Sequence, residues 1–175
     1  MNLPIAKIVS GGQTGADRGG LDAAIEQSVP HGGWCPKDRR AEAGAIPACY
    51  ELIETESANY LVRTERNVVE SHCTIVFTHG QPRGGSKKTI QFAEKHERPC
   101  LHVDLDKNDN KQAAKQILEW LSGGGLHSSH CPPPPPNPVV NVAGSRESKN
   151  SGIEARVKRI MSMVLDSSDY APSSE

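Results

Sequence analysis

The stretch CTIVF, Cys73–Phe77, constrains the chain more than any other. It is a continuous β-branched and aromatic run, so a strand built from it has no face to give to water. Such a strand belongs inside a parallel sheet covered by helices on both sides. The flanking sequence keeps the matching rhythm. Ile5–Val9 is an apolar run ended by glycines, and Leu21, Ala24 and Ile25 then recur at helical spacing. Val29–Lys37 reads as a short second strand and Asp38–Pro47 as a charged loop punctuated by Gly and Pro. Ala58–Ser71 is polar but helical in pattern, with Tyr60, Leu61, Thr64 and Val68 predicted on its inner face.

After CTIVF come a glycine-rich loop, a helix over Lys88–His96, a strand over Pro99–Leu105 and an amphipathic helix over Asn110–Leu121. Val139–Gly144 is the last strand and Ile153–Leu165 the last helix. The alternation predicts a Rossmann-like α/β fold, a parallel sheet with helices on both faces in a single domain spanning 1–165. Two stretches break the rhythm. Residues 122–138 are low in complexity and hold five consecutive prolines, which stiffen into a polyproline II rod. They are expected to form a surface insertion, a stiff linker more readily than a dock for an aromatic groove. Residues 166–175, rich in Ser and Asp, offer little to a core and are expected to be a disordered tail.

Composition excludes several classes. The net charge of −1 leaves no bulk electrostatic case for nucleic acid or an acidic membrane. No stretch approaches the roughly 20 apolar residues of a membrane span, and MNLPIAKIVS does not read as a signal peptide. Five cysteines without a CxxC pair fit reduced thiols, so a cytoplasmic setting is expected. Cys35, Cys73 and Cys100 lie in or beside predicted strands and are expected to be core thiols.

In an open parallel sheet, ligands bind beyond the carboxyl ends of the strands. Three strand-to-helix loops on that edge share one chemistry: SGGQTGADRGG, THGQPRGGSKKT and AGSRESKNSG. Each combines glycine, hydroxyls and cations. Glycine lets backbone N–H groups approach an oxyanion, and the following helix start adds its positive dipole end. Thr14, Ser86, Thr89, Ser145 and Ser148 supply hydroxyls, while Arg18, Lys87, Arg146 and Lys149 supply charge. One such loop is as readily a plain tight turn, but three on one edge argue for an oxyanion-rich ligand, phosphate-bearing or molybdate-like. The first loop lacks the Gly-Lys-Ser/Thr ending of a Walker A sequence, and its glycines miss the GxGxxG spacing.

Other candidates are weaker. Asp17 and Asp22 resemble an acid/base pair, yet helix starts favour acidic residues without any catalysis. Lys37, Arg39 and Arg40 either reach over the site or form a solvated loop. His127, His130 and Cys131 are crowded like metal ligands, but three in a low-complexity insertion make a poor zinc site, and no metal is expected.

GGQTGADRGGLDAAI, PHGGWCPKDRRAEAGAIP, RTERNVVES, TIVF, PRGGSKKT, PCLHVDL and NVAGSRES occur in that order. Together they closely resemble the molybdenum-cofactor carrier proteins, across nearly all of Lys7–Leu165 apart from the insertion. The resemblance implies a lysine-decarboxylase-like Rossmann fold, a homo-oligomer (dimer or tetramer) and non-catalytic binding, protection and delivery of molybdenum cofactor. The recipients implied are apo-molybdoenzymes. The implied cargo is a molybdopterin, a reduced pterin with dithiolene-bound oxo-molybdenum and a phosphate, with simple molybdate or phosphate-like anions as lesser candidates. Carried over by position, the implied contacts are Gly11, Gly12, Gln13, Thr14, Gly15, Asp17 and Arg18, then Lys37 and Arg40. Gly84, Gly85, Ser86 and Thr89 follow, and finally Ser145, Arg146, Glu147 and Ser148. The chain departs from the family pattern at Arg66, where an aromatic is expected, at Ser145, where a proline is expected, and in its polyproline insertion.

The same broad fold carries the lonely-guy-type phosphoribohydrolases, the enzyme alternative. Their PGGxGTxxE hallmark is matched here by RGGSKKTIQFAE, with Lys87 and Lys88 in place of Gly-Thr and Gln91 in place of the glutamate. Glu94 lies about one turn deeper. Cleavage without a placed carboxylate forgoes roughly 10²–10⁴-fold of acid/base assistance.

Overall fold

The computed structural model describes residues 5–124 and 133–166. In chain order it runs β1 (Lys7–Val9), α1 (Ala16–Glu26), β2 (His31–Gly32), β3 (Trp34–Cys35), a 3-10 turn (Lys37–Arg39), β4 (Arg40–Ala41), β5 (Gly44–Ala45) and β6 (Ile53–Glu54). It continues with α2 (Tyr60–Val69), β7 (Cys73–Thr78), α3 (Gly84–Lys95), β8 (Cys100–Asp104), α4 (Asn110–Leu121), β9 (Val139–Gly144) and α5 (Ile153–Leu165). The α/β alternation and helix placement expected from sequence are therefore present, in one domain.

Five strands form a parallel sheet in the order β2-β1-β9-β7-β8. Read cyclically from β7, this is the common doubly wound order 2-1-3-4-5, whose crevice opens between its first and third strands, here β7 and β9. Right-handed crossovers then assign the layers. The step from β1 to β2 and the step from β8 to β9 run the same way, placing α1 and α4 on one face. The steps from β2 to β7 and from β7 to β8 run the other way, placing α2 and α3 opposite. The core agrees: Ile8, Ile75, Phe77, Val103 and Val142 share one buried cluster with α1, α4 and α5 residues such as Ala23, Ile117 and Ile160. β7 is buried at every position, as its composition requires.

Three expectations are corrected. The second strand is broken: Gly33, at φ 121, redirects the backbone, so His31–Gly32 stays on the main sheet while Trp34–Cys35 pairs with Ile53–Glu54. Helix α3 begins at Gly84, not Lys88, because Gly84 and Gly85 form its first turn. The inner face of α2 is polar. Arg63, Thr64, Asn67 and Val68 are buried, whereas Leu61 is 40% exposed. Asn67 explains part of this: its side chain accepts from the Trp34 N–H at 2.8 Å and donates to the Trp34 carbonyl at 2.9 Å, clamping the displaced strand. Arg66, at the expected aromatic position, stacks its guanidinium 4.4 Å from the Trp34 ring centroid and pairs with Glu56.

Cys35 and Cys73 are buried and Cys100 is half-buried. No helix of the described residues is long and apolar enough to cross a membrane, and among them no group of three His, Cys, Asp or Glu could hold a metal ion. His127, His130 and Cys131 lie outside the described residues, as do 125–132 of the insertion and 167–175 of the tail.

Candidate functional site

A cavity of about 780 Å³ opens beyond the carboxyl ends of β7 and β9, within the range of small-molecule pockets, roughly 300–1,000 Å³. Gln13 and Asp17 come from the turn after β1 and the start of α1, and Tyr60, Leu61, Arg63 and Thr64 from α2. His79, Gly80, Gln81 and Arg83 come from the turn after β7, followed by Gly84, Gly85, Ser86 and Thr89 of α3. Ala143, Gly144, Ser145, Arg146, Lys149 and Asn150 close it from β9 and the loop beyond. Arg63, Arg83, Arg146 and Lys149 thus face one lining carboxylate, Asp17, which leaves the wall cationic.

Asp17 and Arg63 form a buried pair, Nη1 to Oδ2 at 3.3 Å, and the same carboxylate oxygen accepts from the Gln13 N–H at 3.2 Å. Burial pushes the Asp17 carboxyl above its usual range, opposed by Arg63, the Gln13 N–H, Arg146 and Arg18. Gly11 makes this pair possible, because a Cβ there would lie 2.0 Å from Arg63 Nη1.

Gln13 is the most informative wall residue. Its Oε1 accepts from the Thr14 N–H at 3.1 Å and the Glu42 N–H at 3.0 Å, which fixes the amide's orientation. The Nε2 group is buried without a hydrogen-bond partner, and the residue is only 4% exposed. A buried donor left unmet costs about 1–3 kcal/mol, which an acceptor reaching it would recover.

The three glycine-rich loops are used differently. In the first, the N–H groups of Gln13, Thr14, Gly15 and Ala16 go to Asp17, Gln13 Oε1, Glu154 Oε2 and the Ser145 carbonyl. Of the cradle expected of Gly11, Gly12 and Gly15, the Gly15 N–H and the three N–H groups beside it are therefore taken by the protein's own acceptors. These glycines instead admit Arg63, the Leu52 and Ile46 side chains, and the Ser145–Glu147 backbone. In the second loop, a Cβ at Gly84 or Gly85 would meet nothing within 4 Å, and α3 has no side-chain cap. Its N-terminal dipole end faces the cavity. In the third, Ser145 donates its N–H to the Phe77 carbonyl at 3.0 Å, a bond the expected proline could not make.

Of the residues expected at the site, Gln13, Asp17, Gly84, Gly85, Ser86, Thr89, Ser145 and Arg146 are brought together on the cavity wall. Gly11, Gly12, Thr14, Gly15, Arg18, Lys37, Arg40, Glu147 and Ser148 are not among the lining residues. Arg18 donates to the Gly12 carbonyl, and Lys37 is exposed. Glu147 caps α5, accepting from the Gly152 and Glu154 N–H groups. Arg40 stands at the rim, 5.5 Å from the Tyr60 ring centroid. Arg63 and Arg146 approach the same ring at 5.9 and 5.1 Å, so three guanidinium groups lie around one aromatic ring. Asp22 accepts from the Tyr50 hydroxyl at 2.7 Å, away from any pairing with Asp17. Arg39 donates to the carbonyls of Ile46, Pro47, Tyr50 and Leu52, organising its own loop.

Sequence reasoning missed Tyr60, Arg63, His79, Arg83 and Glu42 as site residues. A cation in the middle of an otherwise amphipathic helix was the available signal for Arg63. Arg83 directly precedes the glycine pair. Glu42 carries no local signal: its carboxylate accepts from the Thr14 hydroxyl, from the Ser148 hydroxyl at 2.6 Å and from the Ser148 N–H at 3.3 Å, with Arg146 Nη1 at 3.8 Å. Burial acts to raise the Glu42 carboxyl, but these hydrogen bonds outweigh it and hold it below the ordinary range.

At 41% identity the chain is similar to a protein from Syntrophus aciditrophicus SB described as a "putative molybdenum carrier protein". The two structures match with a TM-score of 0.82, over 94% of this chain and 98% of that one. No curated protein matches the chain. A family model, that of the circularly permutated YpsA SLOG family, matches residues 8–165. The cyclically shifted strand order fits that description. The chain belongs to the circularly permutated YpsA SLOG family.

Proposed function

We propose that the cavity carries molybdenum cofactor as cargo, protecting and delivering it without transforming it. The observation that carries this reading is the Gln13 amide, a buried donor with fixed orientation and no partner on a cationic wall. It calls for a ligand oxygen, phosphoryl or oxo-metal. The uncapped start of α3, with Arg83 beside it, suits one anionic end of such a cargo, and Gln13 with Arg146 suits the other. Tyr60 offers a ring face to a planar pterin. The 41% identical neighbour's description supports a molybdenum-related carrier. Apo-molybdoenzymes as recipients, a homo-oligomeric assembly and a cytoplasmic setting belong to the same proposal.

A hydrolase would need a free carboxylate at the sugar. Asp17 is committed to Arg63 and the Gln13 N–H, and Gln91 and Glu94 are exposed on α3 outside the cavity wall. The test is anaerobic binding of molybdenum cofactor to the purified chain, with a parallel assay of base release from nucleoside 5′-monophosphates. Saturable binding that slows cofactor oxidation, with no base released, is expected. Gln13→Leu should weaken retention by about 1 kcal/mol and Arg83→Ala by about 1.5–3 kcal/mol. Base release without protection would overturn the carrier reading.

A further inference from the structure

Beside the cavity, four donors converge on a single carboxylate. The Thr14 hydroxyl, the Ser148 hydroxyl and N–H, and the Arg146 guanidinium all address Glu42. They come from two loops far apart in sequence, the turn after β1 and the loop after β9. The carboxylate is delivered by a third element, the turn between β4 and β5. Two hydroxyls, one backbone N–H and one guanidinium form the donor set of an oxyanion site, and here the anion belongs to the protein.

We propose that Thr14, Ser148 and Arg146 form a second anion subsite at the cavity rim, for a tetrahedral oxyanion of the phosphate or molybdate class. Glu42 is its built-in competitor, seated until such an anion displaces it. What seats the Glu42 carboxylate is these four contacts and not its own turn. Its turn is held by two strands of two residues each, and Ala43, Gly44 and Ala45 beside it are exposed. A Cβ at Gly44 would meet nothing within 4 Å. The Glu42 backbone N–H separately holds Gln13 Oε1, so rotation of the side chain alone vacates the subsite without releasing the Gln13 amide.

Charge favours the exchange. A tetrahedral dianion offers Arg146 more charge than a carboxylate and has enough oxygens for all four donors at once. Through Arg146, which also lines the cavity, the subsite adjoins the main pocket. The inference rests on no particular identity for the cavity's cargo.

The test is calorimetric titration of the full chain with inorganic phosphate and, separately, with molybdate. A competitor seated nine times in ten lowers apparent affinity about tenfold, so Glu42→Ala should bind at least one of these anions about tenfold more tightly than wild type. Adding Thr14→Val to Glu42→Ala should remove most of that gain. Glu42→Gln, which keeps the size and the backbone contact to Gln13, serves the same comparison should the alanine variant fail to fold. Equal or weaker anion binding in a folded Glu42 variant would overturn the proposal and leave Glu42 a structural clasp. A gain that survives Thr14→Val would also overturn it, since the anion then sits elsewhere. If cofactor retention needs Gln13 and Arg83 while phosphate and molybdate ignore Glu42, only the subsite falls. The converse result removes the cavity as the cargo site and leaves the subsite standing.

Discussion

Two glycine-rich helix starts, after β1 and after β7, look alike in sequence and do opposite things in the fold. The first is closed. Its N–H groups are met by Asp17, Gln13, Glu154 and Ser145, and a Cβ at Gly15 would lie 2.3 Å from the Ser145 carbonyl oxygen. The second is open, with no side-chain cap on α3 and no atom within 4 Å of a Cβ at Gly84 or Gly85. Glycine therefore serves close packing in one loop and access in the other. What separates them is the neighbour: α5 and the loop after β9 press on the first, while the cavity borders the second.

The strongest challenge to the closed loop is removal of the cation that supports it. Arg63→Met leaves the Asp17 carboxylate buried without its partner and should cost about 3–5 kcal/mol in urea unfolding at neutral pH. Asp17 already titrates above its usual range, and losing Arg63 raises it further. The stability contribution of a raised carboxyl is present below its unfolded value and is lost as pH rises through its folded value. The deficit of Arg63→Met should accordingly shrink towards acid; a deficit independent of pH would separate it from Asp17.

Gly15→Ala should cost about 2–3 kcal/mol, since φ is +89° and the new methyl would press on backbone that cannot yield. Gly85→Ala is the matched change in the open loop. It lies inside α3 in free space and should stabilise by about 0.5–1 kcal/mol. Equal costs at Gly15 and Gly85 would erase the distinction between the loops.

The same contrast explains what was legible in the sequence. β7 and the helices Asn110–Leu121 and Ile153–Leu165 were readable because their periodicity is local. The break at Gly33 was not, because it is set by Ser10 and Asn67, which crowd that glycine from distant parts of the chain. α2 misled because hydrophobicity predicts which face meets an apolar core. Its inner face meets a cavity wall and a displaced strand, so Arg63 and Asn67 are buried there instead of Leu61. At the site, the loops were legible from their chemistry, and eight of the twenty wall residues from that chemistry together with the family resemblance. Which N–H groups stay open depends on partners such as Glu154, and which hydroxyls are engaged depends on Glu42. Neither partner is marked by any local pattern.

The position of β9 has a consequence for how the chain is made. It pairs with β1 on one side and β7 on the other, yet it is the last of the five sheet strands to be synthesised. Until β9 is in place, β1 with β2 and β7 with β8 can form only two separate strand pairs, each with an unpaired inner edge. Such edges are sticky towards other polypeptides. One six-residue strand then closes both gaps, and the same event brings Ser145 and Arg146 to the cavity. Sheet closure and assembly of the binding wall are thus a single step.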